Sequence, residues 1–457
     1  MTAPPPFPHT PADRAPVAIL GAGIAGLALG IRLQAAGVPT LLFEASDAAG
    51  GVAGAVRHEG FVFERGPISV PDIAPIAALW QLSGAELAAD CEFVPTPGLV
   101  RFIWPDGRTF ELSGDRHIDG EAIAAFAPAD LPVFEALVSG QRGGRMTRWP
   151  APRPRFQNAD LRDAVDSLAF PMGSLPKGQL DALPAIGGGW SVRGGSDRLI
   201  AALVRQYERL GGTLLLGDGV TAIATGAAGA ERVTCRSVYS APVSAVASTL
   251  GAERTRALLG KPARGRIRLN PAMFTVHLAL RGGWPGIPHQ TVLLCDDHAA
   301  AQRSVCDRGI LPGQQTIVVH HPSVTEPSLA PVGHSVLRAT ITVPNLRQAP
   351  LDWAAVGPQL ERAVLDAIEQ RLIPDLGERL VLAFHTTPAD WAARFALPGG
   401  TPFGPLTPAR SAARALPGNV VLLGAEAGHG AGISDALASA ERAAGALLAR
   451  LHDMGKG

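Results

Sequence analysis

The sequence predicts an α/β protein with a parallel sheet, and three stretches near its start predict it. Residues 17–20, Val-Ala-Ile-Leu, form a short apolar run that ends at glycine, the pattern of a buried parallel strand. Residues 24–36, nearly all small or apolar, follow as a helix, with Gly37 placed to end it. The run VPTLLFE, residues 38–44, reads as the next strand. Strand, helix and strand within about thirty residues make a βαβ unit.

The turn between the first strand and the helix carries Gly21-x-Gly23-x-x-Gly26. Gly21 permits the tight turn, Gly23 lets the backbone approach a pyrophosphate, and Gly26 lets helix and strand pack closely. The helix N-terminus then offers unpaired N–H groups and the positive end of its dipole to phosphate oxygens. Glu44 ends the second strand, about 20 residues further on, where an acid accepts hydrogen bonds from a ribose 2′-hydroxyl and repels a 2′-phosphate. The pattern is that of a Rossmann-type dinucleotide site, with NADP disfavoured.

Two later blocks belong with it. In residues 188–223, Ser196 is placed to cap a helix with Leu199, Ile200, Leu203, Val204 and Tyr207 on one face, and Gly211-Gly212 ends it before two strands. Residues 418–451 read as a strand, a glycine-rich turn and a long closing helix. The intervening segments are less periodic and rich in proline. The expected organisation is a flexible proline-rich tail over 1–15, rather than a signal peptide. A discontinuous nucleotide domain follows, from 16–75, 188–250 and 415–457. An inserted α+β substrate domain covers 76–187 and 251–414, with a helical part that could face a membrane.

Composition narrows the function classes. Forty basic side chains balance forty acidic ones, so the chain has no electrostatic footprint for nucleic acid. A mean hydropathy of +0.17 is high for a globular chain, yet no window reaches the roughly 18 uninterrupted apolar residues of a membrane span. Cys91, Cys235, Cys295 and Cys306 form no C-x-x-C pair, so neither zinc nor a disulfide framework is expected, and no metal site is read. The expected location is the cytoplasm, with peripheral contact at the inner face of the cell membrane left open. Composition gives no oligomeric state.

The stretch Glu44-x-x-x-x-x-Gly50-Gly51 resembles the second motif of the amine oxidase and phytoene desaturase flavoproteins, and a Gly66-Pro67 step follows. WSVRGGSDRLIAAL (190–203) looks like the P-x-G-G segment of the phytoene desaturase (carotenoid desaturase) branch. HHPSVTEPSLAPVG (320–333) resembles another stretch typical of that branch. GAEAGHGAGISDALASAERAAGALL (424–448) resembles its C-terminal flavin motif. The resemblance covers most of the chain. It implies a glutathione-reductase-like fold that holds FAD through Gly21, Gly23, Ile24, Ala25, Gly26, Glu44, Ala45, Gly50, Gly51, Val52, Gly66, Pro67, Val220, Gly424, Glu426, Gly432 and Ile433. It also implies desaturation of a carotenoid or related isoprenoid polyene by hydride transfer to flavin N5, with the hydrophobic substrate met at a membrane face.

The chain departs from the family pattern in two places. Val52 stands where relatives carry arginine, a loss that removes a charge-assisted phosphate contact and implies either weaker FAD binding or reliance on Arg57 or Arg193. Residues 427–435 place His429 and Asp435 where relatives have proline and glycine. Both are catalytic candidates: His429 as a proton carrier near neutral pH, Asp435 as an acid in the first turn of the closing helix, a position that also suits the helix dipole. His320 and His321 read as a strand end without metal-ligand spacing, and Glu326 as a turn or cap group. These departures leave other reactions of the same fold open: a carotenoid isomerase or saturase, or a flavin oxidase of a smaller natural-product intermediate. A flavin- or carotenoid-binding protein without catalysis is the remaining alternative. Amine oxidation is less expected, because it favours an aromatic pair beside the flavin and the chain has 2 tyrosines in all.

Overall fold

A five-stranded parallel sheet carries the glycine motifs. In the computed structural model, which describes residues 15–66, 70–140, 155–169, 188–262, 267–406, 416–427 and 430–454, its strands are β1 (Val17–Leu20), β2 (Thr40–Phe43), β3 (Thr213–Leu215), β4 (Ala245–Ser248) and β5 (Val420–Leu422). Their order is β5-β4-β1-β2-β3, every pair parallel. All four residues of β1 are buried, as expected of a central strand covered on both faces.

Three helices build this layer: α1 (Ile24–Ala35), α2 (Ser196–Arg209) and α3 (Ile433–Met454). α1 is buried on almost every side and packs against both α2 and α3. That crowding explains its small residues: a Cβ on Gly30 would lie 2.6 Å from the Tyr207 ring of α2. Tyr207 is fully buried, and its hydroxyl bonds to Thr40 Oγ1 at 2.8 Å while donating to the Thr213 carbonyl at 3.2 Å. One phenol thereby ties β2 to β3.

The start of α2 differs from expectation. Gly195, at φ 104°, precedes the first turn, so Ser196 lies inside the helix. Its backbone N–H is taken by Glu64 Oε1 at 2.9 Å. A carboxylate distant in sequence thus satisfies an orphan donor of the first turn, in place of a cap by the Ser196 hydroxyl.

The second large sheet has seven strands in the order Leu380–Thr386, Ala272–Arg281, His334–Val343, Ile317–His320, Gln290–Leu293, Val100–Ile103 and Thr109–Leu112. Its pairs are antiparallel except Gln290–Leu293 with Val100–Ile103. The helix Trp353–Arg371 shares one core with it, and the hairpin Ala55–His58/Phe61–Glu64 shares another through Phe61, Phe63, Ala279 and Val336. His320 closes its strand and His321 follows it. Ile76, Leu79, Trp80, Leu87 and Cys91 lie in the segment assigned above to the substrate domain, yet they pack into the core of α1. The segment 76–91 therefore shares its core with the parallel sheet. No helix among the described residues is long and apolar enough to cross a membrane.

The buried phenol gives a direct stability test. Tyr207→Phe is expected to lower the unfolding free energy by about 1–2 kcal/mol, seen as a lower urea midpoint at an unchanged slope.

Candidate functional site

A cleft of about 730 Å³ opens at the carboxyl ends of β1 and β2, within the range of small-molecule and cofactor sites. The chain leaves β1 through Gly21, at φ 101°. A side chain there would run into the Thr249 hydroxyl, and one on Gly26 would run into the Gly21 carbonyl oxygen. Gly23 is different. Its backbone is ordinary for any residue, at φ −75°, and an added Cβ would meet no protein atom within 4 Å. The space beside it is the cleft. α1 starts immediately beyond, with no side-chain cap and no acidic residue in its first turn. Its N–H groups and positive dipole end are free for an anion.

The second glycine motif lies against the first. Gly50 N–H donates to the Ala22 carbonyl at 2.9 Å, and Gly23 and Gly50 pair as a lone parallel bridge. Gly50 and Gly51 both have positive φ, 117° and 54°, and a Cβ on Gly51 would sit 3.6 Å from Gly23 Cα. Gly66 closes this floor from behind, where a Cβ would come within 2.7 Å of Ala53 Cα and of the Val52 carbonyl oxygen. Glu44 stands at the other end. Its carboxylate accepts the Ala22 N–H at 2.8 Å and the Ser46 N–H at 2.9 Å, which fix it on the cleft wall near Ala45 and Val220.

The chain's last segment completes the cleft with Gly424, Gly432 and Ile433. Of the residues expected from sequence, Gly21, Gly23, Ile24, Ala25, Glu44, Ala45, Gly50, Gly51, Val52, Val220, Gly424, Gly432 and Ile433 line it. Gly26 and Gly66 stand behind the lining, where they permit close backbone packing. Glu426 falls in the single turn Ala425–Ala427. Pro67 and His429 lie outside the described residues. Asp435 has a local backbone partner. It sits in the first turn of α3 and is directed at the preceding backbone, accepting the Gly432 N–H at 3.3 Å. A side chain on Gly430 would run into its carboxylate. The helix-start geometry that suits an acid there turns it toward the turn, and it is absent from the cleft lining.

The compensation expected for Val52 is also not where the sequence reading put it. Arg57 Nε pairs with Asp197 at 2.8 Å, and Arg193 pairs with Glu92 at 2.7 Å and with Glu326 at 3.4 Å. The arginines among the lining residues are Arg236, Arg254 and Arg394. Val52 packs against the cluster of Met273, Trp391 and Phe403, joined by Phe395 and Leu397. That cluster seats the segment Ala392–Pro398 as a wall of the cleft. Sequence reasoning missed this wall. The one local signal was the capping box of Thr387 and Asp390, which starts its helix, Pro388–Phe395.

These residues fit FAD. The fixed Glu44 carboxylate would take ribose hydroxyls, Gly23 and the uncapped α1 would take the pyrophosphate, and the apolar end at Val52, Ala431 and Ile433 would take the ring system.

The profile of the family "flavin containing amine oxidoreductase" matches residues 24–185. A lycopene-forming phytoene desaturase of Paracoccus sp. is 29% identical over 97% of this chain and 99% of its own length. A lycopene-forming enzyme of Pantoea ananas is 27% identical over 95% and 99%. A neurosporene-forming one of Cereibacter sphaeroides is 26% identical over 95% and 94%. The chain is similar to phytoene desaturases over nearly its whole length, and to the flavin-containing amine oxidoreductases over residues 24–185. Among solved structures, an oxidoreductase from Methanosarcina mazei superposes with a TM-score of 0.67 at 15% identity, over 93% of this chain and 99% of that one. A putrescine oxidase with bound putrescine gives 0.61 at 16%, over 95% and 99%. Both share the fold. The cofactor of this desaturase-like chain is FAD.

Gly23 offers a clean test of the cleft. Gly23→Ala is expected to keep the unfolding midpoint of the parent, because its methyl meets no protein atom. It should weaken FAD binding by about tenfold or more, the loss expected when close backbone approach to the pyrophosphate is blocked. Fluorescence titration with FAD, beside thermal melts of the cofactor-free protein, measures both.

Proposed function

We propose that the chain is an FAD-dependent oxidoreductase that desaturates a carotenoid or related isoprenoid polyene. The observation that carries this reading is the near full-length similarity to phytoene desaturases that form lycopene or neurosporene. The cleft supports it. Val52, Ala53, Ala431, Ile433, Leu397 and Pro402 make its inner end apolar, which suits a hydrocarbon that offers no polar handle. FAD, when bound, supplies a two-electron acceptor for the hydride that leaves a CH–CH unit.

The chain's own residues have the remaining tasks. The apolar walls exclude water and align the polyene. The Gly430–Ile433 turn, steadied by Asp435, presents the start of α3 to the cleft. His429 precedes that turn and is proposed as the group that takes the proton, while Asp435 acts by holding the backbone rather than by proton transfer. The substrate's insolubility in water favours work at a membrane face, with the protein bound peripherally.

Anaerobic mixing of the FAD-loaded protein with phytoene in liposomes tests the reading. Loss of the oxidised-flavin absorbance, with a product that has gained conjugated double bonds, is the expected result. Bound flavin that neither bleaches nor yields product across the polyene series contradicts desaturation and favours a carrier role. A product with altered geometry but no net oxidation favours an isomerase. His429→Ala is expected to lower turnover by roughly 10²-fold or more, in the range for loss of a general base, with FAD affinity unchanged.

A further inference from the structure

Arg338 sits in the middle of the seven-stranded sheet, 9% exposed, on the strand His334–Val343. Its partners across the sheet are His277 on one side and His320 on the other, so the three side chains share a face. That face meets the hairpin of the glycine side: the rings of Phe63 and His277 are 5.9 Å apart. Arg338 Nη1 donates to the Glu64 carbonyl at 3.2 Å and also to the Gly66 carbonyl. One guanidinium from the second sheet therefore grips the backbone on either side of Arg65.

Glu64 is itself 8% exposed, and it borders a small cavity with Ile24, Ala53 and Ile433, three residues that also line the FAD cleft. Burial pushes its carboxyl up to about 7, opposed by the Ser196 N–H and by the charge of Arg338. Burial and Arg338 together hold His277 and His320 far below the usual imidazole range, so both are neutral at physiological pH. Arg338 and Arg65 are then the cations of this layer, and Glu64 is divided between its acid and carboxylate forms near neutral pH. Glu64 Oε1 holds the first turn of α2, and Ile200 of that helix bears on Gly50, where an added Cβ would lie 3.2 Å away.

We infer that Arg338 and Glu64 are positioning residues of the FAD cleft. The guanidinium fixes Gly66 beneath the Val52–Ala53 turn, and the carboxylate fixes α2 behind Gly50. Neither touches the cofactor's place. Each holds a segment that backs the lining: Gly66 lies behind Val52 and Ala53, and Ile200 of α2 lies behind Gly50. Both bonds come from one nitrogen, Nη1, and arginine suits the task because its guanidinium stays charged when buried. The inference rests on the FAD reading above.

The test compares wild type with Arg338→Met, Arg338→Lys, Glu64→Gln and the double variant Glu64→Gln/Arg338→Met. FAD affinity is read by fluorescence titration, together with the visible spectrum of the bound flavin. Hydrogen exchange of the cofactor-free proteins reports Ser196 and the 61–66 hairpin. Arg338→Met should weaken FAD binding by about tenfold or more and blur the fine structure of the flavin bands, because it removes both bonds that hold the Glu64 and Gly66 carbonyls. Arg338→Lys should recover part of that loss. The double variant should be no weaker than Arg338→Met, the non-additivity of residues that act together. Exchange at Ser196 should rise while that of β4 stays as in wild type. If Arg338→Met does not fold, Glu64→Gln carries the test through the same titration, with weaker binding expected. Wild-type-like affinity and spectra in the folded variants overturn this inference alone. A wild-type chain that takes up no FAD overturns the cofactor reading with it.

Discussion

The hydrogen bond from Gly50 N–H to the Ala22 carbonyl joins two motifs that the sequence keeps about a strand and a helix apart, and the rest of the cleft depends on it. It brings Gly23 and Gly50 edge to edge, with no side chain between them. Backbone N–H groups, not charged side chains, then make the phosphate-facing floor. Such a floor tolerates no Cβ at several positions, which explains why the glycines are used as a set. Gly26 and Gly66 never reach the cleft, yet each is needed so that the backbone in front of it can come close.

This division of labour bears on Val52. An apolar residue here would be a defect if the pyrophosphate depended on one arginine at that position. In this chain Val52 belongs to the packing between the glycine floor and the wall at Ala392–Pro398. The uncapped N–H groups and positive dipole end of α1 remain for the anion. The substitution trades a local charge for a hydrophobic seat.

The parallel-sheet layer was legible because its signals are local. β1, α1 and the turn between them are encoded by consecutive residues, and the glycine spacing states the reason for each. Glu44 was equally legible, since its position follows from the length of a βαβ unit. The start of α2 was not. Its cap comes from Glu64, far off in sequence, and Ser196 looked sufficient alone. The wall at Ala392–Pro398 and the grip of Arg338 on Gly66 were hidden for the same reason. Both depend on how the second sheet docks, and no periodicity in a single segment reports that. Asp435 was read correctly in place, as a first-turn acid, and differently in direction, because the side chain answers the nearest backbone donor.

One dinucleotide would span the cleft, with Glu44 at one end and the turn at Gly430–Ile433 at the other. Competitive titration of the cofactor-free chain with FAD and with FMN, which lacks the adenosine half, tests it most directly. One FAD per chain is expected, bound at least about a hundredfold more tightly than FMN, or about 2.8 kcal/mol. Equal affinity for the two would contradict it, because Glu44 and the β2 end of the cleft would then contribute nothing.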